Sequence, residues 1–321
     1  MELSDAKLKE PFKLAGKRIW VAGHRGMVGG ATARRLERED CEILTTSHAE
    51  LELRDQAAVD AWMDANKPDV GVVAAATVGG ILANTTRPAD FLYDNLAIET
   101  NIIHAAHRSE AEKLLFLGSA CIYPREAAQP MAEEALLSGP LEPTNQWYAV
   151  AKIAGIKLCQ AYREQHDRDF ISAQPNNLYG PFDNFDLETS HVIPALMRRT
   201  HEAKLGGAPE VVIWGTGKPY REFLHVDDLA DGLIHLLKYF SSDVPINIST
   251  GEEISIGGLA AAIAQVVGYQ GELSFDTSKP DGAPRKLLDA RRMKALDWTS
   301  SVVLEDGLAA TYQWFLENEA G

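Results

Sequence analysis

Residues 18–30 read RIWVAGHRGMVGG, and this stretch decides the fold of the chain. The run Arg18–Ala22 is apolar almost throughout, which predicts a strand buried in a parallel sheet. The glycines that follow permit a tight turn, let backbone N–H groups approach a pyrophosphate, and allow a helix to pack closely on the strand. The spacing is GxxGxxG rather than GxGxxG, so a purely structural turn is the alternative. We expect a dinucleotide-binding strand–turn–helix unit.

The same alternation of apolar runs and helical segments continues through the first 180 residues. The predicted strands are Arg18–Ala22, Glu42–Thr45, Val70–Ala76, Leu114–Leu117 and Phe170–Ala173. The predicted crossover helices are Ala31–Glu39, Gln56–Asn66, Asp90–His107 and Tyr148–Gln165. Because the strands are apolar instead of alternating, helices should cover both faces of the sheet. The expected fold class is α/β, with a doubly wound parallel (Rossmann) sheet.

After Tyr179-Gly180-Pro181 the chain becomes richer in Pro, Gly and Asn, which indicates a second, smaller domain. A helix near Ile193–Glu202 and a strand near Val211–Trp214 belong to it, whereas Asp228–Phe240 and Ile246–Ser249 can return to the main sheet. The expected division is a dinucleotide-binding domain at 1–178 and about 226–252, with an interleaved substrate-binding domain at 179–225 and 253–321.

Composition restricts the function. The net charge of −15 argues against nonspecific binding to nucleic acid or an anionic membrane, so a phosphate ligand needs local donors. Three cysteines without a CxxC motif fit a reducing cytoplasm, and no metal site is predicted. No apolar run approaches the length of a membrane span, and Met1–Lys17 lacks a signal-peptide core. That leader is expected to be a ragged N-terminal extension.

A carbonyl-reduction site is predicted from Ser119, Tyr148 and Lys152. Tyr148 and Lys152 are four apart on one helix face, so the ammonium can favour the ionised phenol. Ser119 follows the fourth strand, at the sheet edge where such folds bind ligands, and its hydroxyl can bond a substrate carbonyl. The alternative for Ser119 is a strand-end cap.

The end of the second strand normally separates NAD from NADP through an acidic residue. Here it reads Leu44-Thr45-Thr46-Ser47-His48, and Asp40 and Glu42 lie at the start of the strand. Arg25, in the glycine turn, can pair with a 2′-phosphate, although a solvent-facing arginine is the alternative. Cys121 and His191 also have structural alternatives, as a buried spacer and a residue at a helix start.

Motifs along nearly the whole chain resemble the GDP-L-fucose synthase family of the extended short-chain dehydrogenase/reductase superfamily. The segments that carry the resemblance are Val21–Gly29, Val78–Ile81, Phe116–Pro124, Tyr148–Lys152, Asn177–Pro181, Ser190–Pro194, Arg221–Asp228 and Lys279–Gly282. Gly-His-Arg-Gly, Cys121 and Ser190-His191-Val192 are the more specific features. Thr77 stands where a lysine is common, and the second strand lacks an arginine that helps some members hold the 2′-phosphate.

The resemblance implies 3,5-epimerisation of GDP-4-keto-6-deoxy-D-mannose followed by NADPH-dependent reduction at C4. It assigns Ser119, Tyr148 and Lys152 to reduction, and Cys121 and His191 to epimerisation. The implied NADP(H) contacts are Gly23, His24, Arg25, Gly26, Met27, Val28, Gly29, Leu117, Gly118, Lys152, Pro175, Asn176, Leu178 and His191. The implied nucleotide-sugar contacts are Asn177, Arg199, Trp214, Arg221, Asp281 and Lys286.

The resemblance also implies a homodimer joined through the helices near Asp90–His107 and Tyr148–Gln165. Two other functions stay open on the sequence. One is a sister enzyme acting on another nucleotide-linked 4-keto sugar, and the other is a binding protein that senses NADP without turnover. Intact Ser119, Tyr148 and Lys152 count against the sensor.

Overall fold

The structure is a computed structural model that describes residues 6–187, 189–279 and 281–320, apart from the side chains of residues 81 and 82. The strands are β1 (Arg18–Ala22), β2 (Glu42–Leu44), β3 (Val70–Val73), β4 (Lys113–Leu117), β5 (Asp169–Pro175), β6 (Asn177–Tyr179), β7 (Glu210–Trp214), β8 (Tyr220–Arg221), β9 (Phe223–His225), β10 (Ile246–Ile248), β11 (Ile254–Ser255), β12 (Glu272–Asp276) and β13 (Arg285–Lys286). The helices are α1 (Met27–Leu36), α2 (Gln56–Asn66), α3 (Ile81–Thr86), α4 (Pro88–Arg108), α5 (Gln146–His166), α6 (Val192–Gly206), α7 (Val226–Tyr239), α8 (Ile256–Val267), α9 (Arg291–Ala295) and α10 (Leu304–Asn318).

Six parallel strands form the central sheet in the order β2-β1-β3-β4-β5-β10. Two apolar clusters flank it, one including Val21 and Leu233, the other including Phe116 and Ile156. Apolar strands covered on both faces are what a parallel sheet requires. The predicted doubly wound α/β class is therefore confirmed.

After β5 the chain also forms small sheets outside the central one. A three-stranded sheet has the order β11-β8-β13, and β7 pairs with β12. A separate cluster, including Met197 and Ile263, packs this part of the chain. The strand β10 returns to the main sheet beside β5. The detailed domain boundaries stay a prediction.

Several element boundaries differ from the sequence prediction, and the differences at β3 and α1 bear on the glycine motif. Strand β3 ends at Val73 rather than Ala76, and helix α1 begins at Met27 instead of Ala31 and ends at Leu36 instead of Glu39. The earlier start places Gly29 inside the helix, where a Cβ would lie 2.2 Å from the carbonyl oxygen of Gly23. Helix α1 can therefore pack this closely on the glycine turn only because residue 29 is glycine.

The prediction of a ragged N-terminal extension is wrong for its described part. The Leu8 N–H donates to Tyr239 O at 2.9 Å, and the Phe12 N–H donates to Lys238 O at 2.7 Å. The Leu14 side chain is 2% exposed within the main apolar cluster. Burial of apolar surface therefore holds this segment against the end of α7. Within the described ranges, no helix has the length and apolarity to cross a membrane.

Candidate active site

The glycine turn lies where the strand order reverses, between β1 and β3. Gly23 has φ +91°, and a Cβ there would lie 2.7 Å from the Ala75 N atom, so only glycine fits. Gly26 caps α1 without a side-chain hydrogen bond, which leaves the N–H groups of the first turn available to an anion. The Nδ1 atom of His24 is buried and has no hydrogen-bond partner among the described residues. This crevice therefore fits the pyrophosphate of a dinucleotide.

The segment after β2 contains a carboxylate that the sequence analysis missed. Glu50 accepts hydrogen bonds from the N–H and the Oγ–H of Ser47, each at 2.7 Å. These bonds, with help from the charges of Arg25 and His24, lower the pKa of Glu50. The signal in the sequence was the Ser-x-x-Glu capping pattern of Ser47 and Glu50. Arg25 is exposed, and His48 lies 3.1 Å from Glu52.

The reduction residues meet beside the carboxyl end of β4. Ser119 caps the 3₁₀ turn Ala120–Ile122 and accepts a hydrogen bond from the Cys121 N–H at 3.3 Å. Ser119 therefore also caps the end of the strand, which was the alternative given for it from the sequence. On α5, the Nζ atom of Lys152 lies 5.8 Å from the centroid of the Tyr148 ring.

The Tyr148 phenol is protonated in this structure, and the predicted effect of Lys152 on its ionised form stays a prediction. Burial raises the pKa of Tyr148, the charges of Cys121 and Glu99 add to the rise, and the Ser119 hydroxyl opposes it. Glu99, on α4, was missed by the sequence analysis because nothing in its helix pattern marks it as functional. Its Oε2 atom lies 3.8 Å from Lys152 Nζ, and both side chains are almost fully buried.

Cys121 receives two donors. The Asn145 side-chain amide lies 3.1 Å from its sulfur, and the Lys286 ammonium lies 3.7 Å from it. Asn145 was missed by the sequence analysis, and Lys286 was assigned only to the nucleotide sugar. The structure places Lys286 against Cys121, and its contact with the nucleotide sugar stays a prediction. Two donors facing one sulfur suit a thiolate, the form of cysteine that removes protons.

His191 is the N-cap residue of α6 and is exposed. The segment before His191 contacts the turn at Gly80. The Gly80 N–H donates to Thr189 O at 3.3 Å. Desolvation by the surrounding protein, together with the Lys286 charge, lowers the pKa of His191. Lys286 therefore contacts Cys121 and also affects the pKa of His191 through its charge.

The small sheet brings two of the nucleotide-sugar candidates together, because Arg221 and Lys286 are paired across β8 and β13. Arg199 has no carboxylate within 4.0 Å in the part of the chain that the structure describes, and burial lowers its pKa. Trp214 is 67% exposed, with Lys279 Nζ 5.4 Å from its ring centroid. An arginine without a counter-ion among the described residues and an exposed aromatic face are suited to a diphosphate and a base.

Three other candidate residues, Asp281, Asn176 and Asn177, make hydrogen bonds to neighbouring parts of the protein. Asp281 accepts from the N–H and the Oγ–H of Thr216, at 2.8 and 2.7 Å. The Asn176 amide donates to Glu222 Oε2 at 2.6 Å, and the Asn177 amide donates to Glu222 O at 2.9 Å. Glu222 was missed by the sequence analysis, although its buried carboxylate holds this region together. The remaining cofactor candidates, Leu117, Gly118, Pro175 and Leu178, lie at or just beyond the carboxyl ends of β4 and β5.

Residues 19–257 match the model of the Epimerase family, described as the NAD dependent epimerase/dehydratase family. The chain is 56% identical over 309 residues to GDP-L-fucose synthase of Sinorhizobium fredii (strain NBRC 101917 / NGR234), covering 96% of this chain and 98% of that protein. It is 55% identical to GDP-L-fucose synthase of Escherichia coli (strain K12), covering 95% and 98%. A solved GDP-L-fucose synthetase from Naegleria fowleri bound to NADP aligns with a TM-score of 0.90 at 30% identity, covering 98% of each chain.

Proposed function

Because the chain belongs to the NAD dependent epimerase/dehydratase family, we propose that it converts GDP-4-keto-6-deoxy-D-mannose to GDP-L-fucose by 3,5-epimerisation and NADPH-dependent reduction at C4. The relatives named GDP-L-fucose synthase support this substrate, since the identity is 55–56% along nearly the whole chain. The single observation that carries the two-step chemistry is the position of Cys121. Its sulfur faces Asn145 and Lys286, while Ser119, two residues earlier, begins the reduction site.

Epimerisation needs a base and an acid on opposite faces of the sugar ring. The C4 ketone acidifies the hydrogens at C3 and C5, so a carbon next to it can lose a proton and regain one from the other face. Cys121, with its two donors, serves as one group of this pair. His191 serves as the other, and its lowered pKa favours the neutral imidazole as the resting form.

Reduction uses the adjacent triad. NADPH supplies the hydride when it is bound. Ser119 holds the C4 oxygen by a hydrogen bond, Tyr148 gives that oxygen its proton, and Lys152 stabilises the phenolate left behind. The raised pKa of Tyr148 keeps it protonated before the reaction, which is the form that a general acid requires.

Ligand binding divides between two parts of the chain. The crevice of Gly23–Gly29 holds the cofactor pyrophosphate, and Arg25 holds the 2′-phosphate. Arg199 and Arg221 neutralise the diphosphate of the nucleotide sugar, and Trp214 stacks on its base. The domain boundaries given above, with the interleaved C-terminal substrate-binding domain, form part of this proposal.

The proposal includes a homodimer and a cytoplasmic location. Tyr93 on α4 is 69% exposed and Val150 on α5 is 42% exposed, so these two packed helices present apolar surface to solvent. A second copy is the proposed occupant of that face. The cysteines Cys41, Cys121 and Cys159 are free, as a reducing compartment requires.

The test is NADPH oxidation with GDP-4-keto-6-deoxy-D-mannose, followed by identification of the product. GDP-L-fucose is the expected product. A product epimerised at only one carbon would point to the sister enzyme on another 4-keto sugar. Cofactor binding without oxidation, for every GDP- and dTDP-linked 4-keto sugar offered, would instead favour the NADP-sensing protein.

A further inference from the structure

Glu99 is a buried carboxylate that the chemistry above does not use. It lies on the face of α4 that packs against α5, and its side chain is 2% exposed. Both of its oxygen atoms are buried, and neither accepts a hydrogen bond of ordinary geometry from the described residues, although the Gly155 N–H lies close enough to lower the pKa of Glu99. An ionised carboxylate that has lost water and gained so little hydrogen bonding is costly, so such a group calls for an explanation.

Lys152 is the cation that faces it. Lys152 Nζ lies 3.8 Å from Glu99 Oε2, too far for a hydrogen bond but close enough for a strong attraction in a buried site. On its other side the ammonium lies 4.6 Å from the ring centroid of Phe116. In the described ranges, Glu99 is the only carboxylate within 4.0 Å of Lys152 Nζ.

We propose that Glu99 is a positioning residue for reduction, which keeps Lys152 charged and Tyr148 protonated in the resting active site. This inference rests on the proposed function of Ser119, Tyr148 and Lys152. Burial lowers the pKa of Lys152, and the negative charge of Glu99 opposes that change. The same negative charge raises the pKa of Tyr148. One buried charge therefore supports both the proton donor and the cation that stabilises its conjugate base.

Other titratable groups near the pair do not replace either charge. Burial raises the pKa of Cys159, on α5, to about 12, so it remains a thiol. Cys121 faces Tyr148 and adds to the rise of its pKa. Arg163 interacts with Cys159 and is bound to Asp169 through a 2.6 Å contact. Burial raises the pKa of Glu99 and the Lys152 charge opposes that rise, so the ionised form of Glu99 depends on a charged Lys152.

Glu99→Gln should shift the pH profile of kcat in the same direction whether or not Lys152 keeps its proton. If Glu99→Gln leaves Lys152 charged, the pKa of Tyr148 falls and the proton donor is lost at lower pH. If Lys152 instead loses its proton, the cation is lost at lower pH. Either way, the alkaline limb of kcat for NADPH oxidation should move to lower pH, by about 1–3 units, the usual effect of a single opposite charge at this distance.

The experiment compares pH profiles of kcat for wild type, Glu99→Gln, Glu99→Asp and Asp169→Asn. Asp169→Asn is the matched control, because it removes the carboxylate of another buried lysine, Lys113, at the opposite end of β4. Glu99→Asp keeps the charge and should restore most of the alkaline limb. Deuterium uptake at C3 and C5, which depends on Cys121 and His191, should change less than threefold in Glu99→Gln, roughly the scatter expected of a residue outside that chemistry.

The outcomes separate the inference from the proposed function. A wild-type profile for folded Glu99→Gln, with Tyr148→Phe inactive, would overturn the role of Glu99 alone. Equal shifts in Glu99→Gln and Asp169→Asn would also overturn it, because any loss of a buried charge would then have the same effect. Full activity of Tyr148→Phe would overturn the assignment of the reduction residues and the inference with it.

Discussion

Two buried lysines, each facing a carboxylate, lie at opposite ends of the same region of the sheet, and the two carboxylates differ in how many hydrogen bonds they accept. At the amino end of β4, Lys113 Nζ donates to Asp169 Oδ2 at 2.6 Å and to Phe240 O at 2.7 Å. Asp169 also accepts from Arg163 and Ser241, at 2.6 and 2.7 Å. Near the carboxyl end, Lys152 and Glu99 remain 3.8 Å apart, and the Glu99 oxygens accept no hydrogen bond of ordinary geometry from the described residues.

The Lys113–Asp169 pair therefore stabilises the fold, whereas the Lys152–Glu99 pair can take part in proton transfer at the site. Burial alone would raise the pKa of Asp169, but Lys113, Ser241 and Arg163 together lower it, so the carboxylate is stable as an anion. Burial raises the pKa of Glu99 instead. A pair whose protonation states are finely balanced can respond to a proton moving nearby, whereas a fully hydrogen-bonded pair cannot.

The largest expected effect comes from breaking the carboxyl-end site at Tyr148. Tyr148→Phe keeps the ring and removes the proton donor, so kcat for NADPH oxidation should fall by about 10²–10⁴-fold, the usual contribution of a general acid. Cofactor binding, measured by NADPH fluorescence, should be retained. A folded variant that oxidises NADPH at the wild-type rate would show that Tyr148 is not the acid.

Breaking the amino-end pair should instead affect stability. Asp169→Asn leaves Lys113 buried without its counter-ion, which should lower the free energy of unfolding by up to about 3–5 kcal/mol. Denaturant unfolding gives this value, and turnover per folded molecule should not change. Because the pKa of Asp169 is lower in the folded state, its contribution is present above its unfolded pKa and is lost as pH falls through its folded pKa. The variant should therefore lose less stability than wild type on acidification below about pH 4.

The sequence predicted the framework well and the site in part. Apolar runs locate the parallel strands because burial on both faces leaves an unambiguous pattern, and the Gly23 turn follows from backbone sterics. Glu99, Asn145 and Glu222 were not found, because each acts through contacts between elements distant in sequence. Glu99 lies 53 residues from Lys152 and has the appearance of an ordinary helix residue. The orientation of Lys286 toward Cys121 likewise depends on the pairing of β8 with β13.

A third lysine extends the comparison to epimerisation. Lys286→Gln removes the cation beside the Cys121 sulfur while keeping a polar side chain of similar length. Deuterium uptake at C3 and C5 should slow by about 10–100-fold, since hydrogen bonds to charged groups contribute about 1.5–3 kcal/mol. The control is Cys121→Ala, which should lose the uptake while slow reduction continues. Wild-type exchange in Lys286→Gln would return Lys286 to a purely nucleotide-binding role.

The smallest effect is expected at an exposed pair, Arg25 and Glu50, where water weakens every charge. If Arg25 holds the 2′-phosphate, Arg25→Ala should weaken NADPH binding about tenfold, or about 1.4 kcal/mol, and leave NADH nearly unchanged. Glu50→Gln is the matched variant, because the Glu50 charge lies near Arg25 and opposes a phosphate there. It should strengthen NADPH binding by less than about threefold at low salt, an effect that disappears as salt screens the charges. Steady-state kinetics with both cofactors measure the two variants. An equal loss for NADPH and NADH in Arg25→Ala would mean that the guanidinium supports the glycine turn or the pyrophosphate, and recognition of the 2′-phosphate would then pass to His48.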